Sequence, residues 1–296
     1  MNKFFPAIGF SGPMTSVGVQ HLVNEVLIAP KYRAYTTYGD DTLLAEFREN
    51  FGPGFGVSVV GEFDSNDQFR YEYCYPFMTS EDVTTEKKVE IEPRIREEAY
   101  AGSFDDARVG VTVIFQLQNL IEYYKRYGEG GNAMAEDRIV STSLCALSVD
   151  GSILLPIEKS AGEAEKSRKW SERRTDVVER AMNGDNGAMQ SLTLEDMDLY
   201  TAVSKHIQTE DVYTVVDSYF MPYGVECDLY SLMGEIKVVR AVKNRITDED
   251  IYQLKVDCNG FEFWVQINKK DLYGEPMPGR RFKGVVWMQG TVHYLD

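Results

Sequence analysis

The stretch IYQLKVDCNGFEFWVQIN, residues 251–268, decides how the C-terminal third is read. Two alternating apolar runs flank Asn259-Gly260, a dipeptide that suits a two-residue hairpin turn with positive φ at both positions. Tyr252, Leu254, Val256 and Cys258 alternate with polar residues on the first strand. Phe261, Phe263, Val265 and Ile267 alternate on the second, with Trp264 on the opposite face. A strand, EIKVVRAVKN (235–244), precedes this hairpin, and a connection with room for a single turn, KKDLYGEPMPGRR (269–281), follows it. FKGVVWMQGTVHYL (282–295) is a long strand that Gly290 is expected to bend. Short antiparallel strands with bending glycines predict a small closed or partly open β-barrel of OB-like order over residues 233–296.

Working outward, residues 158–232 change texture. EKSAGEAEKSRKWSERRTDVVERAMNGDNG (158–187) is highly charged and predicts one or two exposed helices ending at Asn183-Gly184. Thr193 and Asp196 have the spacing of a capping box, and Met197, Tyr200, Val203 and Ile207 recur at helical spacing. Thr209 suits the cap of a second helix whose apolar face carries Val212, Val215, Val216, Tyr219 and Phe220. His206 falls in the last turn of the first helix, where a cation favours the dipole end.

Residues 1–157 read as mixed α and β. TLLAEFRENFG (42–52) predicts a short helix stopped by Gly52 and Pro53. FGVSVVGEF (55–63) and FRYEYCYPF (69–77) predict a hairpin closed by DSNDQ. KKVEIEPRI (87–95) is placed at a sheet edge by Pro93. RVGVTVIFQL (108–117) is a buried strand, QNLIEYYKRYG (118–128) a helix stopped at Gly128, and SLCALSVDGSILLPI (143–157) a hairpin turning at Asp150-Gly151. The predicted fold is therefore α+β: a mixed N-terminal domain (1–157), a helical middle (158–232) and the C-terminal barrel (233–296).

The net charge of the 296-residue chain is −16. A surface of that sign repels nucleic acid and anionic lipid. Cys74, Cys145, Cys227 and Cys258 are scattered, which fits reduced thiols in a cytoplasmic protein. Three histidines (His21, His206, His293) at wide spacing supply neither a zinc set nor a Ser/His/Asp triad. The start, MNKFFPAIGFSGP, is a poor signal peptide, and no apolar run has the length of a membrane-spanning helix. GPGFGVSVVG (52–61) lies after a predicted helix and before a strand, the reverse of a dinucleotide fingerprint. GEPMPGRR (274–281) lacks the Lys-Ser/Thr pair of a P-loop, and GFSGP (9–13) has Pro13 where a nucleophile elbow needs glycine.

FPAIGFS (5–11) and INKKDLYGEPMPGRRFKGVVWMQG (267–290) resemble an uncharacterised family of clostridial-type bacterial proteins of similar length, and LTLEDMDLY (192–200) and FMPYGVECDLY (220–230) fit the same pattern. The resemblance implies a cytoplasmic protein of such bacteria and carries no catalytic residues.

The leading functional expectation is a non-enzymatic cytoplasmic binding or adaptor protein without cofactor or metal, whose partner is a protein or small ligand rather than nucleic acid or membrane. Its warrant is the lack of catalytic motifs together with a barrel module, an analogy from fold. One rival is single-stranded nucleic-acid binding, with Tyr252, Trp264 and Trp287 stacking bases and Lys269, Lys270, Arg280, Arg281 and Lys283 along the backbone. The other is a hydrolase built on Asp196, His206 and Asp211.

Overall fold

A computed structural model of the chain describes residues 2–12, 15–38, 42–93, 100–128, 139–157, 161–194, 197 and 216–295. Fourteen strands form two sheets. The smaller is a meander of β1 (Tyr32–Tyr38), β2 (Thr42–Gly52), β3 (Phe55–Phe63) and β4 (Phe69–Met78), each antiparallel to the next. The larger has ten strands: β5 (Glu90–Pro93), β6 (Tyr100–Asp106), β7 (Val111–Leu117), β8 (Ile139–Leu154), β9 (Tyr219–Pro222), β10 (Leu229–Lys243), β11 (Asp250–Cys258), β12 (Phe261–Asn268), β13 (Leu272–Tyr273) and β14 (Arg281–Tyr294). Among the described residues they are joined by α1 (Ser16–Ile28), α2 (Leu120–Tyr127), α3 (Ala161–Met182) and further helical residues 186–194.

This arrangement corrects the expected division into a mixed domain, a helical middle and a small OB-like barrel. The protein is mostly β. β8, from the first half of the chain, lies between β12, its parallel neighbour, and β14, its antiparallel one. With β10 and β11 these strands pair in a ring, so the C-terminal strands close only around a strand from residues 139–154. β9 adds a strand from the segment expected to be helical, and it pairs with the start of β10. Tyr219 and Phe220 therefore belong to a strand, where Phe220 stacks on Tyr230 with ring centroids 4.4 Å apart. Thr193 is not a cap either. It sits inside helical residues 186–194 and donates its hydroxyl to the Met189 carbonyl at 2.9 Å. Thr209 lies outside the described residues.

Two further local readings are overturned. TLLAEFRENFG is strand β2, and Pro53-Gly54 turns it into β3 with Gly54 at φ +71°. Leu, Ala, Glu and Arg favour helix only weakly, and pairing on both edges outweighs that preference. SLCALSVDGSILLPI contains no turn. β8 continues as strand through Asp150-Gly151, with a bulge at Val149-Asp150 where its pairing with β14 shifts register, and pairs with β14 from Arg281↔Leu154 to Tyr294↔Ile139. Gly151 is there for space: a Cβ would meet the Phe282 ring at 2.6 Å and Ile267 Cδ1 at 2.9 Å.

Other readings match. The β11–β12 hairpin turns at Asn259-Gly260, with φ of +57° and +84°. β3 and β4 pair across DSNDQ, Pro93 lies at the outer edge of the large sheet, α2 stops at Gly128, and α3 ends just before Gly184.

Buried amides dock the two sheets. Gln289 on β14 donates to the Pro76 carbonyl at 2.9 Å and accepts from the Met78 N–H at 3.2 Å. Gln118 donates to the Met78 carbonyl at 2.7 Å and to Gln289 Oε1 at 3.0 Å. The outer backbone of β4 is thus satisfied by side chains where no strand lies beside it. α1 covers the other face of the small sheet with Leu22, Val23 and Val26, its first turn capped by Thr15 accepting from the Gly18 N–H. Val177, Ala181 and Ala188 of the charged segment form a separate small cluster.

Hydrogen exchange distinguishes strand from turn at residues 150–151. A peptide covering 144–154 is expected to exchange slowly on both sides of the bulge at Val149-Asp150, as strand interiors do. Rapid exchange confined to Asp150, Gly151 and Ser152 would restore the hairpin.

Candidate functional site

Strand alternation and register build a polar cluster that lines a cavity. Leu44, Glu46 and Arg48 share a face of β2 because side chains alternate along a strand. Register then lays two rows across the small sheet. Tyr32, Arg48, Ser58 and Tyr75 form one row; Ala34, Glu46, Val60 and Tyr73 form the next. Opposite them stand Gln116 and Leu117 at the end of β7 and Leu120 and Ile121 in the first turn of α2. Between the two sides lies a narrow cleft of about 10 Å³, room for about one water and partly open to solvent, lined by residues that include Leu44, Glu46, Val60, Tyr73, Tyr75 and Gln116.

Glu46, with 3 % of its side chain exposed, is the charged group of this wall. Its Oε1 accepts from Arg48 Nε at 2.8 Å, Ser58 Oγ at 2.5 Å and Tyr75 OH at 3.0 Å. Its Oε2 holds no hydrogen bond among the described residues, although Glu46 lines the cavity. Arg48 is held from every side. It also donates from Nη2 to the Gln118 carbonyl and lies 5.2 Å from the Tyr32 ring centroid and 5.5 Å from that of Phe77. Burial disfavours its charge, but Glu46, Tyr75 and Tyr32 around it outweigh burial and raise its pKa. Burial, then the Glu46 charge, pushes the Tyr75 hydroxyl well above the usual tyrosine range, so it stays a donor. The same two causes raise Tyr32.

The arrangement fixes a carboxylate by three donors on one oxygen and leaves the other without a hydrogen bond among the described residues. It holds no nucleophile beside a free base. Elsewhere, Ser143 Oγ and His293 Nε2 stand 2.8 Å apart, a nucleophile–base distance. Ser143 is only 2 % exposed, however, and no carboxylate holds the ring among the described residues, so the pair reads as a cross-strand contact between β8 and β14. No group of three or more His, Cys, Asp or Glu among the described residues is placed to hold a metal.

The residues singled out in the sequence fall elsewhere. Trp264 is 4 % exposed; its indole donates to Asp82 at 2.9 Å and the Arg240 guanidinium lies 4.1 Å from its ring. Trp287 is 5 % exposed, donates to Asp228 at 2.6 Å and stacks on Phe4. Tyr252 is half-buried on β11. Lys269 pairs with Asp250 at 3.5 Å and Lys270 with Glu249 at 2.7 Å. Arg280 donates to the Glu275 carbonyl, and buried Arg281 to those of Leu155 and Val216. Lys283 is half-buried on β14. These positions do not converge on an exposed aromatic platform beside a basic groove. Asp196, His206 and Asp211 lie outside the described residues.

Sequence reading passed over Glu46, Arg48, Ser58 and Tyr75 because β2 was read as a helix. The signal that would have found them is Pro53-Gly54 between Phe51 and Phe55, a turn between two strands, which makes Glu46 and Arg48 same-face neighbours.

A family model described as "Domain of unknown function, E. rectale Gene description (DUF3881)" matches residues 5–290, in accord with the clostridial-type resemblance of the sequence. No curated protein and no solved structure matches the chain.

Breaking the Glu46–Arg48 pair from one side is expected to destabilise the small sheet. Arg48→Met strands a buried carboxylate and is expected to cost about 3–5 kcal/mol in urea unfolding, whereas Glu46→Leu with Arg48→Met together recovers much of that loss. A near-neutral Arg48→Met would show that the pair does not hold the sheet.

Proposed function

We propose that this chain, which belongs to the DUF3881 family, is a non-enzymatic cytoplasmic protein that binds a small ligand in the cleft between its two sheets. One observation carries the reading: a narrow cleft lined about equally by polar and apolar surface contains a fixed, buried carboxylate whose second oxygen has no hydrogen bond among the described residues. The donors that hold Glu46 come from β2, β3 and β4, so the acceptor is in place before a ligand arrives, which lowers the ordering cost of binding. Free cysteines, two of them fully buried, fit a reducing compartment. No helix among the described residues is long and apolar enough to cross a membrane. Nucleic-acid binding draws no support from the two indoles, which are closed by Asp82, Arg240, Asp228 and Phe4.

The test is a screen of small uncharged molecules against protein labelled at Leu, Val and Ile methyls. Binders are expected to shift the resonances of Leu44, Val60, Leu117, Leu120 and Ile121, and Val60→Trp, which fills the cleft, to abolish those shifts. A screen whose binders all perturb other methyls, or none, contradicts the reading.

A further inference from the structure

We propose that the outer edge of β1 is a self-association surface, where a second copy of the chain adds its own β1 antiparallel and joins the two four-stranded sheets into one.

β1 is the end strand of the small sheet, and no described residue hydrogen-bonds to the backbone of Tyr32–Tyr38 from its outer side. An open edge templates pairing with another chain, and folds blunt it with proline, bulges, charge or cover. The other edges here are treated in that way. Pro93 ends β5, and Gln289 and Gln118 occupy the outer backbone at the end of β4. Lys237, Arg240 and Lys243 lie on the stretch of β10 beyond its pairing with β14. β1 has none of these protections. Its seven residues pair with β2 in unbroken register, with no proline and one charge, Arg33. Tyr32 and Tyr35 are 40 % and 37 % exposed.

The sequence of β1 says which strand fits. A two-fold interface must be self-complementary. YRAYTTY has tyrosine at 32, 35 and 38, and so reads alike in both directions about Tyr35. In an antiparallel pairing centred there, Tyr35 meets its own copy, Ala34 meets the partner's Thr36 and Arg33 meets the partner's Thr37. Residues paired across antiparallel strands share a face, and aromatic pairs stabilise such a seam. The two Arg33 side chains start four residues apart along the strands, roughly 14 Å, beyond the screening length at physiological salt. Tyr35 already packs edge-on against Phe47 at 5.8 Å and near Phe63 at 6.2 Å, so the pair on the axis carries the aromatic cluster of one sheet into the other. Two chains of charge −16 repel, and a seam of seven residues a side is small, so the expected affinity is modest, on the order of micromolar.

Sedimentation equilibrium of the full chain at physiological salt tests the pairing, with substitutions at Thr37, an exposed position. Wild type is expected to show a monomer–dimer equilibrium. Thr37→Glu, which faces Arg33 of the partner subunit, is expected to tighten the dimer at least about twofold, and Thr37→Arg to weaken it by a similar factor. Thr37→Glu also makes each chain more acidic, so general repulsion alone predicts the opposite sign. The register is read by oxidation in a Cys227→Ser background: Tyr35→Cys is expected to form an intermolecular disulfide and Thr37→Cys is not. A chain that stays monomeric up to about 200 µM overturns the proposal, and so does a strand from some other protein taking the edge of that monomer. A dimer indifferent to the sign of charge at position 37, or one that cross-links through Thr37→Cys, overturns it as well. The Thr37 comparison stands even if Tyr35→Cys does not fold.

Discussion

The pairing of β8 with β14 is the constraint on which the rest of the structure depends. It runs from one end of β14 to the other and joins strands far apart in sequence. On its other side β8 takes β12 in parallel, so the ring of β8, β12, β11, β10 and β14 leaves no open edge at β12 or along that length of β14. β14 then carries Gln289 to the backbone of β4, and the turn after β7 carries Gln118 to the same place. The small sheet is seated by those amides, and the cleft is the space left beside that seat. Arg48 crosses the gap as well, reaching the Gln118 carbonyl from β2. The Glu46 cluster therefore belongs to both sheets: its donors come from one, and its partner arginine is anchored on the other.

A buried ion pair is weak evidence of added stability, because desolvation offsets much of the attraction. Here the geometry gives it another role. Three donors on Oε1 hold the carboxylate in one orientation, and hydrogen bonds to a charged group contribute about 1.5–3 kcal/mol each. What the arrangement fixes is the direction of the second oxygen. A fold that needed only stability would gain as much from aliphatic side chains in those positions.

Much of the local structure was legible in the sequence. Asn259-Gly260 marked its hairpin because few residues adopt positive φ in succession, and Gly128 and Gly184 marked helix ends. Asp150-Gly151 misled because the same dipeptide serves a different need: Gly151 makes room for Phe282 and Ile267, a demand set by strands more than a hundred residues away. The helical reading of residues 42–52 failed for a related reason, since pairing with β1 and β3 supplied what local preference did not. The site was hidden with it. Glu46, Ser58 and Tyr75 are twelve to twenty-nine residues apart in sequence, and only the register of β2, β3 and β4 makes them neighbours. The tryptophans drew attention as exposed stacking surfaces, but period-two alternation does not say which face of a strand meets solvent when both are covered.

The central claim is that three donors hold Glu46 Oε1 while Oε2 has no donor among the described residues. A high-resolution crystal structure of the protein as purified tests this most directly. The account predicts that Oε2 accepts its hydrogen bond from a bound molecule or solvent in the cleft, with Oε1 still held by Arg48, Ser58 and Tyr75. A Gln116 amide or tyrosine hydroxyl turned onto Oε2, with the cleft filled by protein side chains, would contradict it.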